Sequence, residues 1–188
     1  MGALFIALFI LIAGAIILAL WIIAIYNELV KKRQMVEEAW SGIDVQLKRR
    51  HDLIPNLVET VKGYAKHEKE TLENVTKARA RAMDARTPEE KMKAEQDLSR
   101  ALLNLFAVAE AYPDLKANEN FLHLQEELSK IEDEIQLARR YYNATVRDYN
   151  IAIQTFPKNI VANMFGFKKY EYFEIEEPEE KEPPQVKF

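Results

Sequence analysis

The sequence of 188 residues contains no cysteine, five glycines and three histidines. Without thiols, disulfides, thiolate metal sites and cysteine nucleophiles are excluded. Proline is also sparse, and four of the seven prolines lie between Pro157 and Pro184. From Tyr26 to Phe156 the only breakers are Gly42, Gly63, Pro55, Pro88 and Pro113, and no alternating apolar pattern occurs, so this interval reads as helix. A strong charge excess is missing as well. Residues 171–188 hold seven Glu against Lys181 and Lys187, a net of −5; the whole chain is formally −4, so residues 1–170 stand near +1. Such a body lacks the clustered basic surface that phosphate backbones require, which argues against nucleic acid as a partner.

Against these absences stands one long apolar run, Ala3 to Ile25, with no charged or amide side chain. As a helix it would extend about 34 Å, enough to cross a hydrocarbon core about 30 Å thick. Trp21 and Tyr26 fall at its C-terminal end, where amphipathic rings favour the interface. Lys31, Lys32 and Arg33 follow, and the positive-inside bias predicts a short N-terminus outside and the remainder of a single-pass protein in the cytoplasm, at the cell membrane. A cleaved signal peptide would want basic residues before the run and a small-x-small site at its end; here the small cluster Ala13-Gly14-Ala15 sits mid-run. Ala15 and Ala19 form a small-xxx-small pair that could pack spans together. The sequons at Asn74 and Asn143 would be irrelevant in a cytoplasmic domain.

Four further helices are expected. In the first, Leu29, Val36, Trp40, Ile43 and Leu47 recur at helical steps. Lys48, Arg49, Arg50 and His51 then suit a helix C-terminus, Asp52 an N-cap and Pro55 a first turn, so a tight turn is predicted near 50–53. The alternative is one continuous helix kinked at Pro55, because the apolar phase runs on through Ile54, Leu57 and Val61. The second helix is expected over about 53–85, with Lys66–Glu70 as a solvated charge run in its middle. Thr87-Pro88-Glu89-Glu90 reads as a capping box opening a third helix to about Tyr112, where Pro113 stops it. The fourth, about Glu119 to Thr155, carries a heptad pattern from Phe121 to Ala152. The fold class is therefore all-α, an N-terminal transmembrane helix followed by an antiparallel up-and-down four-helix bundle. The expected boundaries are 1–25 for the anchor, 26–156 for the four-helix domain, 157–173 for an aromatic membrane-proximal segment and 174–188 for an acidic disordered tail. With an even number of helices, Phe156–Tyr170 would return beside the anchor and either lie in the headgroup region or cover the end of the bundle.

No constellation for catalysis emerges. The residues three before His51, His67 and His123 are Lys48, Tyr64 and Asn120, so the Glu-x-x-His pairs of di-metal bundles are missing. There is no zinc-protease motif, phosphate loop, nucleophile elbow or dinucleotide turn. The inner faces read as apolar in their middles. No catalytic residue, metal or cofactor is assigned, and the chain is expected not to be an enzyme. Two polar clusters remain: Arg49, Arg50, His51 and Asp52 with Asn56, and Arg140, Tyr141, Tyr142 and Asn143 with Tyr149 and Asn150. They would fix helix register or form a docking surface. Trp21, Tyr26, Lys31, Lys32, Arg33, Phe156, Phe165 and Phe167 are the expected membrane-interface residues.

The segments Tyr26–Val30, Ala39–Val58, Val61–Tyr64, Ala78–Ala80, Tyr112–Asn118, Arg140–Asn143, Tyr149-Asn150 and Phe156–Phe173 resemble the LemA family. The resemblance implies a single-pass membrane protein with a four-helix cytoplasmic domain, and ties to envelope stress and membrane-protein quality control. It supplies no catalytic residues, and the Glu/Pro tail lies outside the resembling pattern. The expected function is a membrane-anchored, non-enzymatic scaffold or adaptor whose partners are the lipid bilayer and other membrane proteins or copies of itself. The alternative is a ligand- or metal-sensing helical bundle signalling through its anchor.

Overall fold

An uninterrupted helical phase from the apolar run into the polar body makes one helix the economical solution for the N-terminal third of the chain. In the computed structural model, which describes residues 2–173, that helix is α1, Gly2–Tyr64, 63 residues long. The expected acidic tail at 174–188 lies outside the described residues. The turn predicted near 50–53 does not form. Arg50 and His51 are helical and buried, and Pro55 sits inside the helix. A proline there removes the N–H that would bond the carbonyl four residues back, and that carbonyl belongs to His51. Arg79 replaces the missing donor: its Nε donates to the His51 carbonyl oxygen at 2.7 Å. The charge, cap and proline signals at 48–55 were real preferences, and this long-range bond overrides them.

The chain turns instead at 65–68, inside the stretch expected to be the middle of a helix. Ala65 is buried, Glu68 donates its backbone N–H to the Ala65 carbonyl at 3.1 Å, and Tyr112 Oη donates to Glu68 Oε1 at 3.0 Å. Asn118 Nδ2 donates to Tyr64 Oη at 2.9 Å. α2 then runs Lys69–Asp84 and α3 Pro88–Ala109. The start of α3 follows its sequence signal. Thr87 Oγ1 accepts from the Glu90 N–H at 3.1 Å, and Glu90 Oε2 accepts from the Thr87 N–H at 3.2 Å. Thr87→Ala should therefore cost about 1 kcal/mol in chemical denaturation, with an unchanged m-value. α3 ends before Tyr112, and Pro113 opens a single turn, α4 (Pro113–Lys116), rather than only stopping a helix. α5, Glu119–Gln154, lies where the heptads predict, and α6, Lys158–Met164, follows a cis Phe156–Pro157 bond. Among the described residues all regular structure is helical.

The chain divides into two compact units. One joins the residues up to Ile43 with Ala138–Tyr172; the other is built from Asp44–Leu137. The second unit has an apolar core drawn from α1 (Ile54, Leu57, Val61), α2 (Leu72, Val75), α3 (Leu98, Leu102, Leu105), α4 (Leu115) and α5 (Phe121, Leu128). In the first unit, Leu29, Val36 and Ile43 of α1, Val146 and Tyr149 of α5, and Val161 of α6 are buried. Before Ile25 the apolar side chains of α1 are exposed almost without exception. Nothing among the described residues covers them.

Candidate functional site

Two polar constructions stand out, one in each unit. In the second, Arg50 falls in phase with Leu47, Ile54 and Leu57, and Glu95 in phase with Leu98 and Leu102, so both face inward. The Arg50 and Glu95 side chains have no exposure to solvent. Arg50 Nη2 pairs with Glu95 Oε2 and reaches the Glu95 carbonyl oxygen at 3.3 Å. Its Nη1 donates to Glu132 Oε1 at 2.6 Å and to Ser99 Oγ at 3.0 Å. His51 Nε2 lies 2.7 Å from Glu95 Oε1, at ion-pair distance but off the line of a straight hydrogen bond. The expectation of inner faces apolar in their middles is thus corrected: α1, α3 and α5 meet over charge.

The electrostatics follow from that packing. Burial alone would lower the Arg50 pKa, but Glu132 and Glu95 outweigh it and hold the guanidinium above its ordinary value. Burial likewise pushes the Glu95 carboxyl up, and His51 and Arg50 more than offset this, leaving it below the ordinary carboxylate value. A carboxyl depressed in the folded state contributes stability above its unfolded pKa, which is lost as pH falls through the folded value. Unfolding curves should accordingly be level above about pH 5 and fall away at more acid pH. In Glu95→Gln the curve should start lower at neutral pH and be flatter across the acid window, as followed by circular dichroism.

The rest of the first sequence cluster does not join this site. Arg49 is exposed and bonds Gln46 Oε1 at 2.8 Å, Asp52 is exposed and pairs with Lys48 at 2.7 Å, and Asn56 is exposed. Glu95, Glu132 and Arg79 were missed. The signal for Arg50 and Glu95 was available, as opposite charges in apolar phase on two helices; Arg79 lay in a family-resembling segment that assigned it no role, and Glu132 had no signal.

In the first unit the second sequence cluster also splits. Tyr142, Tyr149 and Asn150 are buried, Asn143 is half-buried, and Arg140 and Tyr141 face solvent. The buried ones grip the segment after α6 largely by its main chain. Asn150 Nδ2 donates to the Tyr170 carbonyl at 2.9 Å and its Oδ1 accepts from the Tyr170 N–H at 3.1 Å. Tyr142 Oη donates to the Glu171 carbonyl at 3.0 Å. The rings of Tyr149 and Tyr170 meet edge-on at 5.3 Å, and Tyr170 Oη donates to Glu37 Oε1 at 3.1 Å. Burial, then Glu37, push the Tyr170 phenol up to about 12, so it remains a neutral donor.

Of the expected interface residues, Tyr26 stacks against Phe165 at 4.8 Å and Phe167 at 5.8 Å, and the Arg33 guanidinium lies 5.6 Å over the Phe167 ring. Lys158 Nζ bonds Glu28 Oε1 at 2.6 Å. Trp21, Lys31 and Phe156 are exposed, and Lys32 is half-buried. Gly166 makes the Phe167 contact possible. With φ of 71°, it lets the Phe167 N–H bond the Ala162 carbonyl at 2.9 Å and the Gly166 N–H bond that of Asn163 at 3.3 Å, a Schellman closure of α6. Gly166→Ala should cost about 1 kcal/mol and weaken the Phe167–Tyr26 contact, seen as altered Tyr26 ring shifts in NMR. Glycine at this offset from a short apolar stretch was a readable signal that had gone unused.

Among the described residues, no three His, Asp or Glu converge in a way that could hold a metal ion. Among the described residues the protein is all-helical, with one helix long and apolar enough, by length and composition, to cross a bilayer. The LemA family model matches residues 39–188. Protein LemA of Metamycoplasma hominis is 33% identical over 157 residues, covering 81% of this chain and 70% of that protein. Magnetosome protein MamQ 2 of Paramagnetospirillum magneticum is 28% identical over 175 residues, and magnetosome protein MamQ of Magnetospirillum gryphiswaldense 27% over 174. Each match covers 79% of this chain and 64% of the MamQ protein. The chain belongs to the LemA family. The acidic tail, expected to fall outside the family pattern, lies within the matched residues, whereas Tyr26–Val30 precede them.

Proposed function

We propose that this protein is a non-enzymatic scaffold or adaptor anchored by the first part of α1, with its body at the cytoplasmic face of the cell membrane. The observation that carries the reading is the character of α1, a single helix whose apolar beginning is bare and whose later turns carry buried core positions. Lys31, Lys32 and Arg33, just after the apolar run, favour a cytoplasmic body. The scaffold itself is read as an antiparallel four-helix bundle. Its interiors are filled by apolar side chains and by a charge cluster whose guanidinium and carboxylates engage one another, which suits holding partners better than turning over a substrate. Other membrane proteins, or copies of this chain, are the expected partners, and a place in envelope stress or membrane-protein quality control fits such a device.

The test is cross-linking and native mass analysis of the full chain extracted from membranes in mild detergent. Specific co-purifying membrane proteins or a defined oligomer are the expected result. A strict monomer without partners would remove the scaffold reading. Recovery of the full chain in the soluble fraction after alkaline extraction would remove the anchor.

A further inference from the structure

The short helix α6 has two unlike faces. Val161 and Ala162 are each 1% exposed, packed inward, while Ile160 is 51% and Met164 63% exposed. Phe156, two residues before α6, is 76% exposed, and Phe165, next to Met164, is 51% exposed. Four large apolar side chains are therefore exposed along one short stretch, a row in sequence at 156, 160 and 164–165 of which Ile160 and Met164 share a face of α6, within a segment that otherwise packs well. Isolated apolar residues on a surface need no explanation, but a contiguous row does.

The position of the row says what covers it. Phe165 stacks on Tyr26, the residue directly after the apolar run, and Lys158 is bonded to Glu28. Both contacts lie within the first turn beyond Ile25, so α6 is fixed at the level where the apolar part of α1 ends. Lysines stand close by in sequence, with Lys31, Lys168 and Lys169 exposed, while Lys158 is paired with Glu28, which with Asp148 lines a pocket beside Phe156. An apolar row flanked by lysines is the composition of a segment lying in the headgroup–acyl boundary, with ammonium groups near lipid phosphates.

We propose that α6 is a second membrane element, an interfacial helix whose Phe156, Ile160, Met164 and Phe165 side chains enter the lipid surface beside the anchor. This rests on the reading of α1 as a membrane span. Two attachments would then be made to one leaflet, through α1 and through α6, and the hold of Asn150 and Tyr142 on residues 170–171 would keep the second in place. Phe167, by contrast, is turned onto Tyr26 and Arg33 and serves the fastening rather than the lipid.

Because the chain has no cysteine, single labels can be placed without background. Nitroxides at Ile160→Cys and Met164→Cys, with Leu8→Cys in the apolar run and Asp133→Cys on exposed α5 as references, would be read in full-length protein. The vesicles would be mixed phosphatidylethanolamine and phosphatidylglycerol, with collision rates measured for oxygen and a water-soluble nickel chelate. The expected result is loss of chelate collisions and gain of oxygen collisions at 160 and 164 relative to 133, as at Leu8. If Leu8 is lipid-exposed and 160 and 164 behave like 133, the interfacial helix is overturned and the anchor stands. If Leu8 itself collides with the chelate, the anchor fails and the proposal falls with it. Labels at 160 and 164 shielded from both reagents and broadened by one another would mean that a second copy covers the row, which also overturns it.

Discussion

Arg50→Met should lower the unfolding free energy by about 3–5 kcal/mol, as much as truncating a fully buried core side chain. The loss comes less from the missing attraction than from what remains. Glu95, wholly buried, would be left with only His51 near it, and either a charge or a proton on it would then be costly to hold. Glu132, whose side chain is 38% exposed, can turn to water and suffers little. Arg50→Met/Glu95→Leu should therefore regain most of the loss, since no buried charge is left without its partner. Urea unfolding of the two variants and of Glu95→Leu alone completes the cycle. If the double variant is as unstable as Arg50→Met, the cluster contributes through packing volume and not through charge compensation.

The second large effect concerns Arg79, a residue to which the sequence assigned no role. Its Nε supplies the hydrogen bond that Pro55 denies to the His51 carbonyl. Arg79→Leu should cost about 1.5–3 kcal/mol, the range for a bond from a charged donor to a group that is otherwise unsatisfied. The same substitution made in a Pro55→Ala background should cost far less, because an alanine in place of the proline returns the intrahelical N–H. Thermal unfolding of the four proteins measures the difference. Equal costs in both backgrounds would mean that Arg79 and Pro55 are independent.

These two residues also explain where the sequence was legible and where it was not. The start of α3 and the extent of α5 depend on bonds between near neighbours or on periodicity sustained over many turns, and both kinds of signal are local. The break in α1 was misplaced because charge, cap and proline at 48–55 favoured a turn there, whereas the apolar phase through Ile54, Leu57 and Val61 continues the helix and a donor 28 residues away satisfies the carbonyl that Pro55 leaves open. The actual turn at 65–68 has no glycine or proline of its own, and its Glu68 is held by Tyr112 from beyond α3. The candidate residues divide in the same way. Sequence proximity grouped Arg49, Arg50, His51 and Asp52, but on a helix neighbours face different directions, so Arg50 and His51 went inward and the others outward. The partners of Arg50 sit on other helices, where no spacing rule reaches.

The grip of α5 on residues 170–171 has a further consequence. Asn150 and Tyr142 read carbonyls and an amide, groups that every residue except proline offers alike. The side chain of Glu171 is exposed and makes no hydrogen bond in the hold, although its negative charge, after burial, helps to keep the Tyr142 phenol protonated. The main-chain part of the fastening therefore places little demand on the side chain at 171, which can change while the segment stays docked. What must persist is the pair of readers on α5, and these are the positions at which divergence should be least tolerated.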